Sequence, residues 1–188
     1  MGYIVKVPPA SLPVTLDTAK DHLAVMFDDD NAIITAYISA ATEAVERYTE
    51  RSLITRTLEA GYYCFPAFFE LPRPPLVSVE QITYKDSDGS PIVLDSANYA
   101  VDLYSNRSIV VPVGDWPTVD PSPGNVLVEY VTGYGATPAD IPGDIIAAIL
   151  LLIGHFYSNR EQDVSGVSIA ELKYGVKDIL APYRLADC

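Results

Sequence analysis

The chain has 188 residues, of which 25 are acidic and 12 are basic, so its formal net charge at pH 7 is −13. A hydrophobic content of 49 % with 20 % charged residues is typical of a folded protein and excludes an intrinsically disordered chain. The negative charge argues against a general nucleic-acid binder, which needs a basic surface to displace phosphate counterions.

Cysteines and apolar runs bear on the environment of the protein. Cys64 and Cys188 give no disulfide framework; a disulfide between them stays open, and a reducing cytoplasm is the simpler expectation. Cys64 falls in a strand-like stretch and is expected to be a small core residue. The apolar run Ile145–Ile153 is far shorter than the roughly 20 residues of a membrane span. We therefore expect no membrane contact, and this run predicts a protein core or a protein–protein contact.

The first fifty residues have helical periodicity. Thr15 is suited to cap a short helix that extends to about Met26. The acidic run 28–30 then opens a second helix, where negative charge complements the positive end of the helix dipole. The apolar stripe of this second helix contains Ile34, Tyr37, Ile38, Ala41, Val45 and Tyr48.

From Leu53 onward the pattern alternates with a period of two. Residues 54–62 are rich in β-forming residues, and prolines and glycines separate the segments that follow. No helix is long enough there for a parallel crossover, so we expect an antiparallel sheet or a small sandwich. The further predicted strands are 77–84, 92–94, 99–103, 108–113 and 126–132.

Helical periodicity returns after Pro142. Apolar residues between Ile145 and Tyr157 cover nearly the whole helix circumference, which is typical of a helix buried on all sides. Its partners could lie in the same chain or in a neighbouring subunit, and both interpretations stay open. The sequence thus predicts an α+β fold, with a helical body from residues 1–52 and 136–188 and an inserted β domain at 53–135.

No motif predicts catalysis, a cofactor or a metal ion. His22 and His155 have no candidate nucleophile beside them in the sequence. Residues 86–89 lack the ligand spacing of a calcium loop and predict a hairpin turn, and residues 133–135 lack the third glycine of a dinucleotide loop. Thirteen tyrosines, which combine apolar area with a polar tip, weakly favour protein contact surfaces.

Several segments, in order along nearly the whole chain, resemble the head–tail connector (adaptor) proteins of tailed bacteriophages, a family also found in gene transfer agents. The matching N-terminal and central segments are Asp28-Asp29-Asp30, Val45-Glu46-Arg47-Tyr48-Thr49, Glu70 to Leu76, Tyr99 to Asp102, Trp116-Pro117 and Tyr130 to Gly135. The matching C-terminal segments are Ile141-Pro142, Ala148 to Leu152, His155 to Glu161, Tyr174-Gly175-Val176 and Leu180 to Arg184.

The resemblance implies a structural protein of the virion neck and no enzyme. It implies a ring, commonly of twelve copies, that assembles in the bacterial cytoplasm and docks beneath the portal protein. The ring would extend the DNA channel and attach a stopper or tail-terminator protein. The acidic composition agrees with this role, because an acidic wall repels phosphate and lets DNA pass without specific binding.

The resemblance also assigns contact residues. The C-terminal segment is expected to reach the portal, and the body is expected to fold without the residues from Gly175 onward. The portal-facing candidates are Tyr174, Gly175, Val176, Leu180, Tyr183 and Arg184. The exposed side of the apolar helix is a candidate subunit contact, with Ile149, Leu152, Ile153 and Phe156.

One alternative from another functional class stays open. A cleft in the β insertion could bind a small ligand or hydrolyse it, with His155 or Asp102 as the polar group. A monomer that ignores the portal protein but turns over a small substrate would favour this alternative.

Overall fold

The computed structural model of the chain describes residues 2–86, 88–159 and 174–185, and it has an α+β fold. The chain divides into two compact units. One, the β unit, contains residues 1–10 and 55–134, and the other, the helical unit, contains residues 11–54 and 135–188. The chain therefore passes from one unit to the other three times.

The β unit contains two antiparallel sheets. The larger sheet has the strand order β1-β2-β8-β4-β5, and the smaller sheet has the order β3-β7-β6. In the described part of the chain the strands are β1 (Gly2–Val7), β2 (Arg56–Tyr62), β3 (Phe69–Leu71), β4 (Leu76–Lys85), β5 (Pro91–Val93), β6 (Tyr99–Asp102), β7 (Ser108–Pro112) and β8 (Val126–Thr132).

Alternate residues of the central strands form the core of the β unit. Every second residue of β8 is buried, and β2 shows the same alternation from Leu58 to Tyr62. The phenol of the buried Tyr130 donates a hydrogen bond to the carbonyl of Pro72 at 2.8 Å. Aromatic rings fill the remaining space, since Phe69 and Trp116 have ring centroids 5.2 Å apart. The period-two pattern predicted these buried faces correctly.

The helical unit contains α1 (Leu16–Leu23), α2 (Asn31–Thr49), α3 (Gly143–Ser158) and α4 (Tyr174–Leu180). Thr15 caps α1 as predicted, because its hydroxyl accepts the N–H of Thr18 at 3.2 Å. Asp30 is the cap residue of α2 but forms no side-chain cap hydrogen bond. Its carboxylate instead accepts the phenol O–H of Tyr157 at 2.6 Å. One aspartate of the acidic run therefore connects the start of α2 to the end of α3.

The first ten residues correct the expectation that residues 1–52 belong to the helical body. They form β1, which pairs antiparallel with β2 in a register that places Gly2 opposite Gly61 and Val5 opposite Leu58. Residues 1–10 therefore belong to the β unit. The physical reason is that backbone pairing with β2 satisfies the hydrogen bonds of an extended, β-branched segment that has no helical periodicity.

Two further expectations are wrong in detail. Helix α3 is not buried all round, because Leu151 is 47 % exposed while Ile149 is fully buried. Cys64 lies beyond the end of β2 and is exposed, so it is not a core residue. Among the described residues, no helix combines the length and the hydropathy needed to cross a bilayer.

Candidate assembly surfaces

The C-terminal segment, residues 174–185, packs into the helical unit. Val176 and Leu180 of α4 are buried. The next turn is fixed by Arg51, whose Nε donates a hydrogen bond to the carbonyl of Tyr183 at 2.6 Å, and by Arg184, whose guanidinium lies 5.8 Å from the ring centroid of Tyr48. These contacts argue against the expectation that the body folds without this segment.

The portal-facing candidates thus divide into buried and accessible residues. Gly175 and Arg184 are exposed, and Tyr183 is half-buried. The phenol of Tyr183 donates to the Asp144 carboxylate at 3.3 Å, and burial together with this carboxylate raises the pKa of Tyr183. Val176 and Leu180 contribute to the core and present no docking surface. Tyr174 begins α4, and its side chain lies outside the described structure.

The subunit-contact candidates lie on α3. Ile149, Leu152 and Ile153 are buried inside the helical unit, so they do not offer a surface to another subunit in this structure. Their burial follows from the spacing of three and four residues, which places them on one face of the helix. Phe156 is half-buried, with its ring centroid 6.0 Å from that of Tyr37. Of these four candidates, Phe156 alone keeps accessible surface.

The connection between α1 and α2 carries exposed apolar residues, because α1 ends at Leu23 and not near Met26 as predicted. Met26 is 94 % exposed and Phe27 is 51 % exposed. The backbone around them is ordered by Lys20, whose ammonium lies 2.7 Å from the Asp28 carboxylate. The hydrogen bond from Lys20 keeps the pKa of Asp28 below its usual range. A fixed turn therefore presents two large apolar side chains to solvent.

Strand β1 is the second surface that the sequence analysis missed. It lies at one edge of the five-stranded sheet, and Ile4, Val5 and Val7 are each half or more exposed. The β-branched residues Ile4, Val5 and Val7 are the local signal for this strand. Its pairing with β2 is long-range and does not follow from the local pattern.

The residues proposed for ligand binding or hydrolysis have structural roles. Asp102 accepts the backbone N–H groups of Tyr104 at 2.9 Å and Ser105 at 3.1 Å, which fixes a turn in the β unit. His155 belongs to the helical unit, where its Nδ1 lies 2.9 Å from the amide nitrogen of Asn159. The structure does not bring these two residues together in one unit.

The other sequence motifs are also accounted for by local structure. The Asp86 carboxylate accepts the N–H groups of Asp88 and Ser90, as the turn prediction requires. A Cβ on Gly135 would lie 2.3 Å from the Cβ of Asp140, so this glycine permits the close approach of Asp140. The described residues contain no group of three or more histidine, cysteine or acidic side chains placed to bind a metal ion.

One open depression of about 210 Å³ lies in the helical unit beside the start of α1. Its lining contains no acidic or basic side chain. It is formed by Pro13, Val14, Thr15, Thr18, Pro138, Ala139 and Ile146. Neither His155 nor Asp102 contributes to it, so the residues of the hydrolytic alternative do not line this depression.

Comparison with known proteins gives a match to one family model and a fold shared with solved structures. Residues 13–90 match the family model described as phage gp6-like head-tail connector protein. No curated protein sequence matches the chain. A chain in the neck of an empty gene transfer agent particle, computed with C6 symmetry, is 20 % identical with a TM-score of 0.84, and the match covers 100 % of this chain and 97 % of that chain.

Two further solved structures have the same fold. A chain of the virion of a native gene transfer agent particle is 20 % identical with a TM-score of 0.82, covering 100 % and 97 % of the two chains. A chain of the neck of a native particle, computed with C12 symmetry, is 22 % identical with a TM-score of 0.76, covering 100 % and 96 %. At these identities the likeness establishes the fold over the full length of the chain.

Proposed function

We propose that this chain is a structural component of the neck of a tailed phage or gene transfer agent, because its residues 13–90 match the family model described as phage gp6-like head-tail connector protein. The observation that carries the proposal is the coincidence of the family match with a full-length fold shared with chains of gene transfer agent necks. Both findings concern structural neck components, and they favour a protein that acts by binding and has no catalytic activity.

The proposed assembly is a ring of twelve copies beneath the portal protein. One of the chains that share this fold belongs to a neck that was computed with C12 symmetry, and this symmetry supports a copy number of twelve. A closed ring requires two different faces on each subunit, because each copy contacts its two neighbours through opposite sides. The tail-side partner would be a stopper or tail-terminator protein.

The charge of the chain suits a DNA channel. Each copy carries a formal net charge of −13, so a ring concentrates negative charge around its axis. Phosphate is repelled by such a surface, and DNA can pass through without a specific binding site. This role differs from DNA binding, which would require the opposite sign of charge.

We propose that the accessible residues of the C-terminal segment contact the portal protein. Arg184 is exposed and positively charged, and Gly175 and Tyr183 also keep accessible surface. Replacement of Arg184 by glutamate removes an exposed cation together with its contact to the Tyr48 ring, so circular dichroism must show that the variant is folded. Lys85 is an exposed cation of the β unit and provides a control with the same change of charge.

The experiment is mass measurement of the purified chain with the portal protein encoded in the same genome, followed by electron microscopy of the complex. We expect twelve copies on each portal ring, and about tenfold weaker binding for R184E than for K85E. A stable monomer that does not bind the portal would overturn the proposed function. Equal binding of the two variants would overturn only the assignment of the C-terminal segment.

A further inference from the structure

The five-stranded sheet ends on one side in an accessible, largely apolar strand. Strand β1 pairs with β2 through one edge only, and its other edge is the boundary of the sheet. Ile4 is 57 % exposed, and Val5 and Val7 are exposed to a similar extent, although Val5 lies opposite the buried Leu58. A long edge strand with exposed β-branched residues is a template for pairing with another chain.

The opposite side of the same sheet is only partly covered. Strand β5 pairs with β4 at Thr83, Tyr84 and Lys85, so the stretch 76–81 extends beyond it. Within this stretch Val77 and Glu80 are exposed. Each is the extra residue of a bulge opposite β8, and bulges reorient side chains at sheet edges. The sheet therefore has two different accessible borders, β1 at one side and residues 76–81 at the other.

The charges on these borders are complementary. The single charged residue of β1 is Lys6, and residues 76–81 contain Glu80 and no basic residue. Lys6 lies 3.1 Å from Glu59 within the chain, but an ammonium has three donors and can contact a second carboxylate. Pairing of β1 with a second β1 would offer Lys6 no carboxylate, because β1 contains no acidic residue, and its two-fold symmetry would not generate a ring.

We propose that β1 of one copy adds to residues 76–81 of β4 in the next copy, so that the five-stranded sheets continue from subunit to subunit around the ring. This inference rests on the proposed ring and identifies the contact that closes it. The contact is heterologous, as a cyclic ring requires, and it combines backbone hydrogen bonds with the burial of Ile4 and Val77.

Amide hydrogen exchange tests the contact without knowledge of its register. The full-length chain is compared as a monomer and as the assembled ring, alone or on the portal protein. We expect slower exchange in the ring at residues 2–7 and 76–81. Residues 103–106, an exposed loop of the β unit, serve as the internal reference and should exchange equally in both states.

Charge substitutions provide the second measurement. Ile4→Lys and Glu80→Lys place a lysine at the proposed contact, where we expect about a tenfold higher concentration for half-maximal ring assembly. Leu103→Lys is the matched control for Ile4→Lys, because Leu103 is also 57 % exposed, gains the same charge and lies outside both borders. Circular dichroism confirms that each variant is folded.

The outcomes separate this inference from the proposed function. If the unmodified chain forms no ring, alone or with the portal, both are overturned. If it forms a ring in which residues 2–7 and 76–81 exchange as fast as in the monomer, only the proposed contact is overturned. If I4K and E80K assemble at the same concentration as L103K, the proposed contact is also overturned.

Discussion

The Nε of Arg51 donates a hydrogen bond to the backbone carbonyl of Tyr183 over 2.6 Å, although 132 positions separate the two residues in the sequence. Arg51 is 4 % exposed and follows the end of α2, and Tyr183 lies in the turn after α4. A hydrogen bond from a buried cation contributes more than one between neutral groups. This contact therefore fixes the C-terminal segment to the helical unit.

We expect Arg51→Ala to lower the free energy of unfolding by about 1.5–3 kcal/mol, because the carbonyl of Tyr183 then loses a charged donor. Urea unfolding followed by circular dichroism at 222 nm measures the change. Arg47→Ala, which removes an exposed arginine from α2, is the control and should change stability by less than about 0.5 kcal/mol. Equal effects of the two variants would show that the contact with Tyr183 does not stabilise the fold.

Deletion of residues 175–188 should destabilise the helical unit and not merely remove a binding tail. The deletion removes Val176 and Leu180 and leaves the apolar surface they cover exposed to water. We expect a lower melting temperature and a loss of helical signal beyond that of the deleted residues. Unchanged melting would restore the expectation that this segment is a separable portal-binding arm.

Two residues of α3 should differ strongly in their effect on stability. Ile149→Ala removes a fully buried side chain, and we expect it to cost about 2–5 kcal/mol of unfolding free energy. Leu151→Ala changes a side chain that is 47 % exposed and should cost less than about 1 kcal/mol. Chemical denaturation of both variants tests this ranking. A larger loss at Leu151 would mean that α3 buries the face opposite to the one described.

Two glycines of the helical unit should also respond oppositely to alanine. A Cβ on Gly135 would lie 2.3 Å from the side chain of Asp140, a distance that requires movement of the chain. Gly143, at the start of α3, has no atom within 4 Å of an added Cβ. We expect Gly135→Ala to lower the melting temperature and Gly143→Ala to leave it unchanged or raise it, since alanine favours a helix by up to about 1 kcal/mol. Equal melting temperatures would contradict the close approach at Gly135.

Protonation of two aspartates should lower the free energy of unfolding in acid. Hydrogen bonds from the backbone N–H and hydroxyl of Thr137 lower the pKa of Asp140, and the hydrogen bond from Lys20 lowers the pKa of Asp28. A carboxyl group whose pKa is lower in the folded state stabilises the fold fully above its unfolded pKa. This contribution disappears as the pH falls through the folded pKa. We therefore expect the unfolding free energy to decrease below about pH 4.

Asp140→Asn tests the first of these contributions, because it keeps the shape of the side chain and removes its titration. The variant should lose less stability between neutral and acidic pH than the parent chain. Carboxyl carbon NMR titration of the parent measures the pKa of Asp140 directly. Parallel pH profiles of parent and variant, or an Asp140 pKa at the usual value, would refute this prediction.

Elements that carry a strong local period could be predicted from the sequence. Strand β8 occupies the predicted residues 126–132, and its alternating burial follows the alternation of apolar and polar residues. The stripe of α2 was predicted equally well, with Ile34 and Val45 buried. In both elements one face packs on the core, so the apolar positions in the sequence coincide with the buried positions.

The missed or misjudged features depend on partners distant in the sequence. Strand β1 exists because of its pairing with β2, and β3 is a three-residue strand held by β7. The sequence alone does not show that Leu180 is a core residue, because its burial depends on the packing of α4 against α2 and α3. Ile149 and Leu151 lie in the same apolar run of the sequence, and the tertiary packing decides that Ile149 is buried and Leu151 is exposed.

The early position of β1 in the chain has a consequence for biosynthesis. Its pairing partner β2 begins at Arg56, so the residues of β1 are synthesised before those with which they pair. During that interval its backbone can be satisfied only by water or by another polypeptide. Nascent chains on the same messenger are the nearest source of a wrong partner, and a rate of synthesis that outpaces completion of the sheet should increase misassembly at β1.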